Sequence, residues 1–386
     1  MKRHKLTLLP KILIAVCAGI LCGLFFPEWL TRIFLTVNGL FGNFLGFIIP
    51  LLILGLIAPS IAELGKGAGR LLLLTGALAY GFTVFTGFFT YLSCSGIYPW
   101  LLEGAENMPG IGQETDALLP YFNIEMPPLM GVMTALILAF TLGLGMAAIP
   151  GERIQEVMSE LRDIIYKVIA RVIIPLLPLY IFGIFLNTTQ SGQVAGIMHV
   201  FLKIIVVIFI LTVILLLVQF SIAGALDRKN PFRLFRNMLP AYMTALGTQS
   251  SAATIPVTLA QTLKNGVRPE VAGFVVPLCA TIHISGSTMK IVACSLAIIL
   301  MTGLDISFAQ FSGFILMLGI AMVAAPGVPG GGIMASIGLL QSMLGFDETS
   351  QGLMIALYIA MDSFGTATNV TGDGAIAVII NRMYRN

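Results

Sequence analysis

Two aspartates and an asparagine stand in the stretch MDSFGTATNVTGDGAIAVII (361–380), between the apolar run LMIALYIA and a short basic end, NRMYRN. On a helix turning about 100° per residue, Asp373 falls about 20° from Asp362, and Asn369 about 20° to the other side. Gly365 and Thr366 flank the same stripe. An ionised carboxylate in apolar surroundings requires a cation, a positive substrate group or a proton. A lone aspartate at such a depth would read as readily as the structural partner of a lysine. Two on one helix face with an amide between them point to a binding site.

The elements that position this stripe are apolar almost throughout. Hydrophobic residues make up 57% of the 386 positions and charged residues 10%, against about 25% charged in soluble domains. The chain therefore belongs to the membrane class. Runs long enough to span a bilayer, roughly 20 residues each, fall near 11–27, 35–62, 71–97, 128–149, 162–187, 194–225, 270–302 and 351–381. The first is too long, and too poorly provided with a cleavage site, for a removable signal peptide. The net charge of +3 is spread over loops and gives no footing for nucleic acid. Cys17, Cys22, Cys94, Cys279 and Cys294 lie in apolar segments without metal-ligand spacing and read as small buried hydrophobes.

Basic residues cluster at MKRHK, at Lys66 and Arg70, in DRKNPFRLFR (227–236), at Lys264 and Arg268, and at the carboxyl end. The 98–127 loop holds Glu103, Glu106, Glu114, Asp116 and Glu125 with no Lys or Arg. The positive-inside rule makes the basic loops and both termini cytoplasmic and that loop external. Two apolar regions then return to the side they came from. The region 231–266 has basic flanks, and 306–346 lies between Asp305 and the pair Asp347 and Glu348. Their centres, TQSSAATIP (248–256) and APGVPGGGI (325–333), are rich in small residues, Pro and Gly that break a helix. Two interrupted hairpins of opposite orientation, each followed by a full span, form the pattern of an inverted repeat. The plainer alternative is two pairs of short buried helices. Irregular backbone at membrane depth, however, persists only where protein or a wet site satisfies it.

Four motifs in order, TQSSAATIPVT (248–258), PLCATIHISGST (277–288), GVPGGG (327–332) and NVTGD (369–373), resemble those of the dicarboxylate/amino acid:cation symporters. That family includes glutamate and neutral amino acid transporters. The resemblance runs over nearly the whole chain and is sharpest from about residue 245 to 380. It implies an all-α fold of eight membrane helices and two re-entrant hairpins, built as a homotrimer in the cell's inner (plasma) membrane. Within each protomer, residues 1–70 and 98–191 would form a scaffold. Residues 71–97 and 192–386 would form a transport domain that crosses by an elevator motion.

The resemblance also assigns residues. Asp362 matches the aspartate that holds a substrate amino group, and Asn369 the asparagine that binds its α-carboxylate. Thr366 and Ser287 match pocket hydroxyls, while Ser250, Ser251, Gly327, Val328 and Gly330 lie at the two hairpin tips that would surround the substrate. Asp373 with Asn369 matches a sodium site, and hard oxygen ligands suit a small hard cation.

Departures from the family pattern carry as much. Gly365 stands where acidic-substrate members place an arginine, and Gln249 replaces an arginine that some members carry at the first tip. Losing the bidentate fork removes the strongest means of recognising a second carboxylate. A small neutral amino acid such as serine, alanine, threonine or glycine fits better. The family's NMDGT reads HISGS here, so Ser285 replaces an aspartate associated with another sodium site. Ala79 and Phe82 take positions of a tyrosine and a threonine, although Thr83 keeps a hydroxyl. His283 and Lys290 are titratable newcomers. A histidine changes charge near physiological pH and is a candidate proton carrier, or a structural, hydrogen-bonded one. Lys290 has four readings: a proton site, a fixed charge in place of sodium, a clamp restoring acidic substrates, or a snorkelling side chain.

His199 with Lys203 and Lys167 with Arg171 read as anchors, and NTT (187–189) as a chance glycosylation match. No Walker motif, nucleophile elbow or HExxH occurs, so no enzyme activity is expected and the driving force lies in gradients. The expectation is a cation-coupled symporter of a small neutral amino acid, with protons favoured over sodium and no cofactor. The rivals are a sodium-coupled carrier of acidic substrates with Lys290 as clamp, and an uncoupled anion channel or sensor on the same scaffold.

Overall fold

A helix closes its own backbone hydrogen bonds, which is the requirement that apolar surroundings impose. In the computed structural model every regular element among the described residues is helical. These residues are 8–65, 70–103, 118–192, 194–325 and 330–384. The elements are α1 (Leu8–Gly23), α2 (Glu28–Gly65), α3 (Arg70–Leu101), α4 (Val132–Ala148), α5 (Arg153–Val168), α6 (Ile174–Gln190) and α7 (Val194–Asp227). There follow α8 (Pro231–Thr248), α9 (Ser251–Lys264), α10 (Pro269–Ile282), α11 (Ser285–Thr302), α12 (Phe308–Val323), α13 (Gly331–Leu344), α14 (Glu348–Ala360) and α15 (Asp362–Met383). Gly327 and Val328, the MKRHK terminus, Lys66, and Glu106, Glu114 and Asp116 of the acidic loop lie outside the described residues.

Several apolar runs differ from the continuous spans their composition suggests. Among the described residues, five helical stretches are long and apolar enough to cross a membrane, or six if one bent pair counts as a span. The first run stops at Gly23, short of Pro27, and α4 keeps 17 residues. Between α5 and α6 lies a π-helical turn, Ile169–Ile173, directly before Pro175, whose ring and missing N–H disturb the preceding carbonyl ladder. The run 270–302 breaks at His283 and Ile284, where backbone torsions leave the helical region. The run 351–381 is not one helix either: α14 and α15 meet at Met361 with a 61° bend. This bend makes Asp362 the first residue of a helix rather than an interior one.

The first small-residue centre is a helix–helix corner at Gln249 and Ser250, with Pro256 inside α9, and residues 326–329 of the second lie outside the described residues. α8 packs on α9 and α12 on α13. At the first corner Gln249 takes a left-handed conformation, φ 53°. Ser250 accepts a hydrogen bond at its side chain from the Ala253 N–H, capping α9. At the second, Gly330 has φ 76° and precedes α13, a torsion that glycine adopts without strain. Helices α1, α2, α4, α5 and α6 pack chiefly on one another, whereas α3, α7, α8, α9, α10 and α11 converge on α15. Lys203 donates to the Leu101 carbonyl at the end of α3 (2.6 Å).

Candidate functional site

The breaks in the seventh and eighth apolar runs face each other, and between them lies the polar interior of the protein. Gly286 approaches α15 so closely that a Cβ there would come 2.5 Å from the Gly365 carbonyl oxygen. At that approach the Gly286 N–H, one of the unpaired donors of the α11 start, reaches Asn369 Oδ1 at 2.7 Å. Asn369 thus spends its oxygen on the helix break. Among the described residues its Nδ2 has no protein partner, and Asn369 lines a cavity of about 30 Å³.

That cavity is also lined by Gln249 and Ser251 from the first corner, by Ser287, Gly332 and Tyr358, and by Asp362 and Thr366. It has room for a water or two and is closed to an amino acid in this conformation. Thr366 donates its hydroxyl to the Asp362 carbonyl within its own helix (3.0 Å). Ser250 is occupied in capping α9 and is not among the lining residues. Gly330 enters through its backbone, because its N–H donates to Asp362 Oδ2 at 3.0 Å.

Lys290 and Asp362 form a buried ion pair, Nζ to Oδ1, 3.0 Å. Lys290 is 1% exposed, and its ammonium also sits 3.6 Å from the centroid of the Tyr358 ring, a cation–π contact. Both Asp362 oxygens are therefore engaged within the protein. Gly365 makes the arrangement possible. A Cβ there would stand 2.6 Å from Lys290 Nζ and closer still to Cε, so a side chain at 365 and Lys290 in this position exclude each other.

Eleven residues along α15 a second pair forms. His283 Nδ1 lies 2.9 Å from Asp373 Oδ1, with both side chains buried. The Phe82 ring meets His283 edge-on, centroids 6.4 Å apart. Gln219 of α7 contacts Ser285 Oγ at the limit of a hydrogen bond, 3.5 Å. His283 Nε2, Asp373 Oδ2 and Gln219 Oε1 are buried without partners among the described residues. Gly372 lies between the His283 ring and Gln219: a Cβ there would come 2.7 Å from His283 Cε1 and 2.8 Å from Gln219 Oε1. Thr83 donates to the Ala79 carbonyl of its own helix (2.8 Å).

His283 and Lys290 would share a face of an uninterrupted helix. The break at Ile284 separates them, and each meets its own aspartate. Tyr358 and Gln219 complete the site although the sequence reading did not single them out. Their signals were modest: Tyr358 is a phenol in an apolar run one turn before Asp362, and Gln219 a lone amide in ILLLVQF. Tyr358 donates to Ser287 Oγ at 2.8 Å.

The family model described as the sodium:dicarboxylate symporter family matches residues 8–383. The chain belongs to that family. It is a multi-pass membrane transporter. Similar over nearly their full length are the serine/threonine transporters SstT of Streptococcus thermophilus strain CNRZ 1066 and Acinetobacter baumannii strain AYE. The first is 27% identical over 96% of this chain and 94% of its own, the second 27% over 96% and 95%. The rat excitatory amino acid transporter 1 is 29% identical over 61% of this chain and 44% of its own.

Proposed function

We propose that this protein is a cation-coupled symporter that imports a small neutral amino acid of the serine, alanine, threonine or glycine type, with protons as the coupling ion. One observation carries the substrate reading. Among the described residues the cavity wall holds hydroxyls, amides and one carboxylate, but no guanidinium or ammonium. Lys290, the nearby cation, is bound to Asp362 and to the Tyr358 ring. Even when a bound amino acid takes Asp362, this single ammonium can offset only one substrate carboxylate, so a second would enter a desolvated site without a counter-charge, which is strongly unfavourable. The full-length relatives named as serine/threonine transporters support the same class.

Proton coupling is supported by His283. Its ring nitrogen occupies an oxygen of Asp373 that a sodium ion would otherwise coordinate, and Ser285 offers only a neutral hydroxyl nearby. A proton bound between the ring and Asp373 makes the pair electrically neutral, and its departure leaves one net negative charge, so loading and unloading change the charge of the site by one. The packing of α3 and α7–α11 around α15, apart from α1, α2 and α4–α6, supports a mobile transport domain moving against a scaffold. The trimer, the eight spans, the elevator motion, the inner-membrane location and the cytoplasmic termini complete the proposal.

The test is uptake of labelled serine, glycine and aspartate into liposomes carrying the purified protein, under a proton gradient, a sodium gradient or neither. Serine or glycine uptake driven by protons without sodium is the expected result. Sodium-dependent aspartate uptake would overturn both halves of the proposal. Binding without gradient-driven accumulation would point to a sensor or channel.

A further inference from the structure

The subsite that should receive a substrate ammonium is already filled from inside the protein. Asp362 Oδ1 binds Lys290 Nζ, and Asp362 Oδ2 binds the Gly330 N–H, each at 3.0 Å. The single carboxylate thus joins α11, the start of α13 and α15. We infer that Lys290 is a tethered occupant of the ammonium subsite, holding Asp362 while the carrier is empty and yielding it when an amino acid arrives. The inference rests on the amino acid reading above and describes how that same site behaves without its substrate.

Three features of the structure support this. First, the tethered group has the same chemistry as the ligand it stands for. It is a primary ammonium at hydrogen-bond distance from a carboxylate, and the remaining cavity of about 30 Å³ is too small for an amino acid beside it. Second, Lys290 has an alternative resting place. Its ammonium already lies 3.6 Å from the Tyr358 ring centroid, so it can give up Asp362 while keeping a favourable contact. Third, Gly365 removes the side chain that would deny Lys290 this position. A buried carboxylate left alone is strongly destabilised. A carrier that releases substrate must nevertheless reorient with Asp362 empty. Lys290 supplies at that moment the positive charge that the departing ammonium takes away.

The experiment uses the full-length protein and two readouts. Serine binding is measured by calorimetry for the wild type, Lys290→Met, Lys290→Arg and Asp362→Asn. Net uptake and serine/serine exchange are then compared in liposomes. Lys290→Met, with its competitor gone, is expected to bind serine at least tenfold tighter and to keep exchange while net uptake falls at least tenfold. Lys290→Arg should stay near the wild type, and Asp362→Asn should lose binding. Serine binding that is unchanged or weaker in Lys290→Met overturns the inference. If Lys290→Met does not fold, Gly365→Ala takes its place with the same sign and the same refuting result. If the wild type binds no amino acid, the amino acid reading fails on its own. The tethered occupant is then judged from thiol labelling of Ser287→Cys in an otherwise cysteine-free protein. Labelling at least tenfold faster with Lys290→Met supports it, and an unchanged rate overturns it.

Discussion

Gly365→Ala adds one methyl group between α15 and Lys290, and its effect follows from distances. The new Cβ would lie 2.6 Å from Nζ, whereas ordinary contact begins at 3.4 Å, so the ammonium withdraws by 3.4 − 2.6 = 0.8 Å. Asp362 belongs to the same helix as the added methyl, which means that a wedge pushing Lys290 off α15 also pushes it away from the carboxylate. The pair lengthens from 3.0 Å to about 3.8 Å. At an effective dielectric of about 20, the Coulomb attraction then falls from about 5.5 to about 4.4 kcal/mol. That loss of about 1 kcal/mol is roughly a sixfold change in equilibrium. If the charge-assisted hydrogen bond is lost outright, the change is instead about 1.5–3 kcal/mol net, an upper limit of roughly a hundredfold. Serine affinity in Gly365→Ala, measured by calorimetry on detergent-purified protein, should therefore rise between about fivefold and a hundredfold, and thermal stability should fall. An unchanged affinity would mean that Lys290 does not compete for Asp362. A weaker one would make Lys290 a substrate ligand, and either result refutes the reasoning.

Other expectations concern different parts of the site. His283→Gln removes the ring that bonds Asp373 Oδ1 and should abolish proton-driven serine uptake while leaving exchange measurable in the same liposomes. Gly372→Ala forces the His283 ring and Gln219 apart by several tenths of an ångström, and its proton-driven uptake should fall in the same direction with serine binding intact. Tyr358→Phe loses the 2.8 Å hydrogen bond to Ser287 but keeps the ring beneath Lys290. It should weaken serine binding by about tenfold or less, the worth of one ordinary hydrogen bond of about 1 kcal/mol, as read by calorimetry. Ser250→Ala removes the α9 cap and should lower stability by about 1 kcal/mol, whereas Ser251→Ala, on the cavity wall, should change serine affinity more; denaturation and binding curves separate the two.

Much of this protein was legible in its sequence, because the relevant physics is local. Continuous apolar runs of roughly 20 residues in a chain with 10% charge are satisfied in a bilayer by helices that close their own hydrogen bonds. The small-residue stretches 248–256 and 325–333 marked where two of those runs are interrupted, although the first corner falls at Gln249 and Ser250 and Pro256 lies inside α9. The shared stripe of Asp362, Asn369 and Asp373 follows from helical periodicity alone. The motifs led to the symporter family, to which the chain belongs.

What only the tertiary structure decided is which polar group meets which. A carboxylate on a stripe specifies that a partner exists, but the partner comes from another helix, at a depth set by two chain breaks and a close glycine contact. On an uninterrupted helix His283 and Lys290 would share a face, whereas the break at Ile284 sends one to Asp373 and the other to Asp362. Likewise Gly365 read as a missing arginine, whose charge Lys290 would restore as a substrate clamp in one of several readings of the sequence. In the fold it is the space that Lys290 occupies, a fact of packing between α11 and α15 that spacing along the chain does not encode.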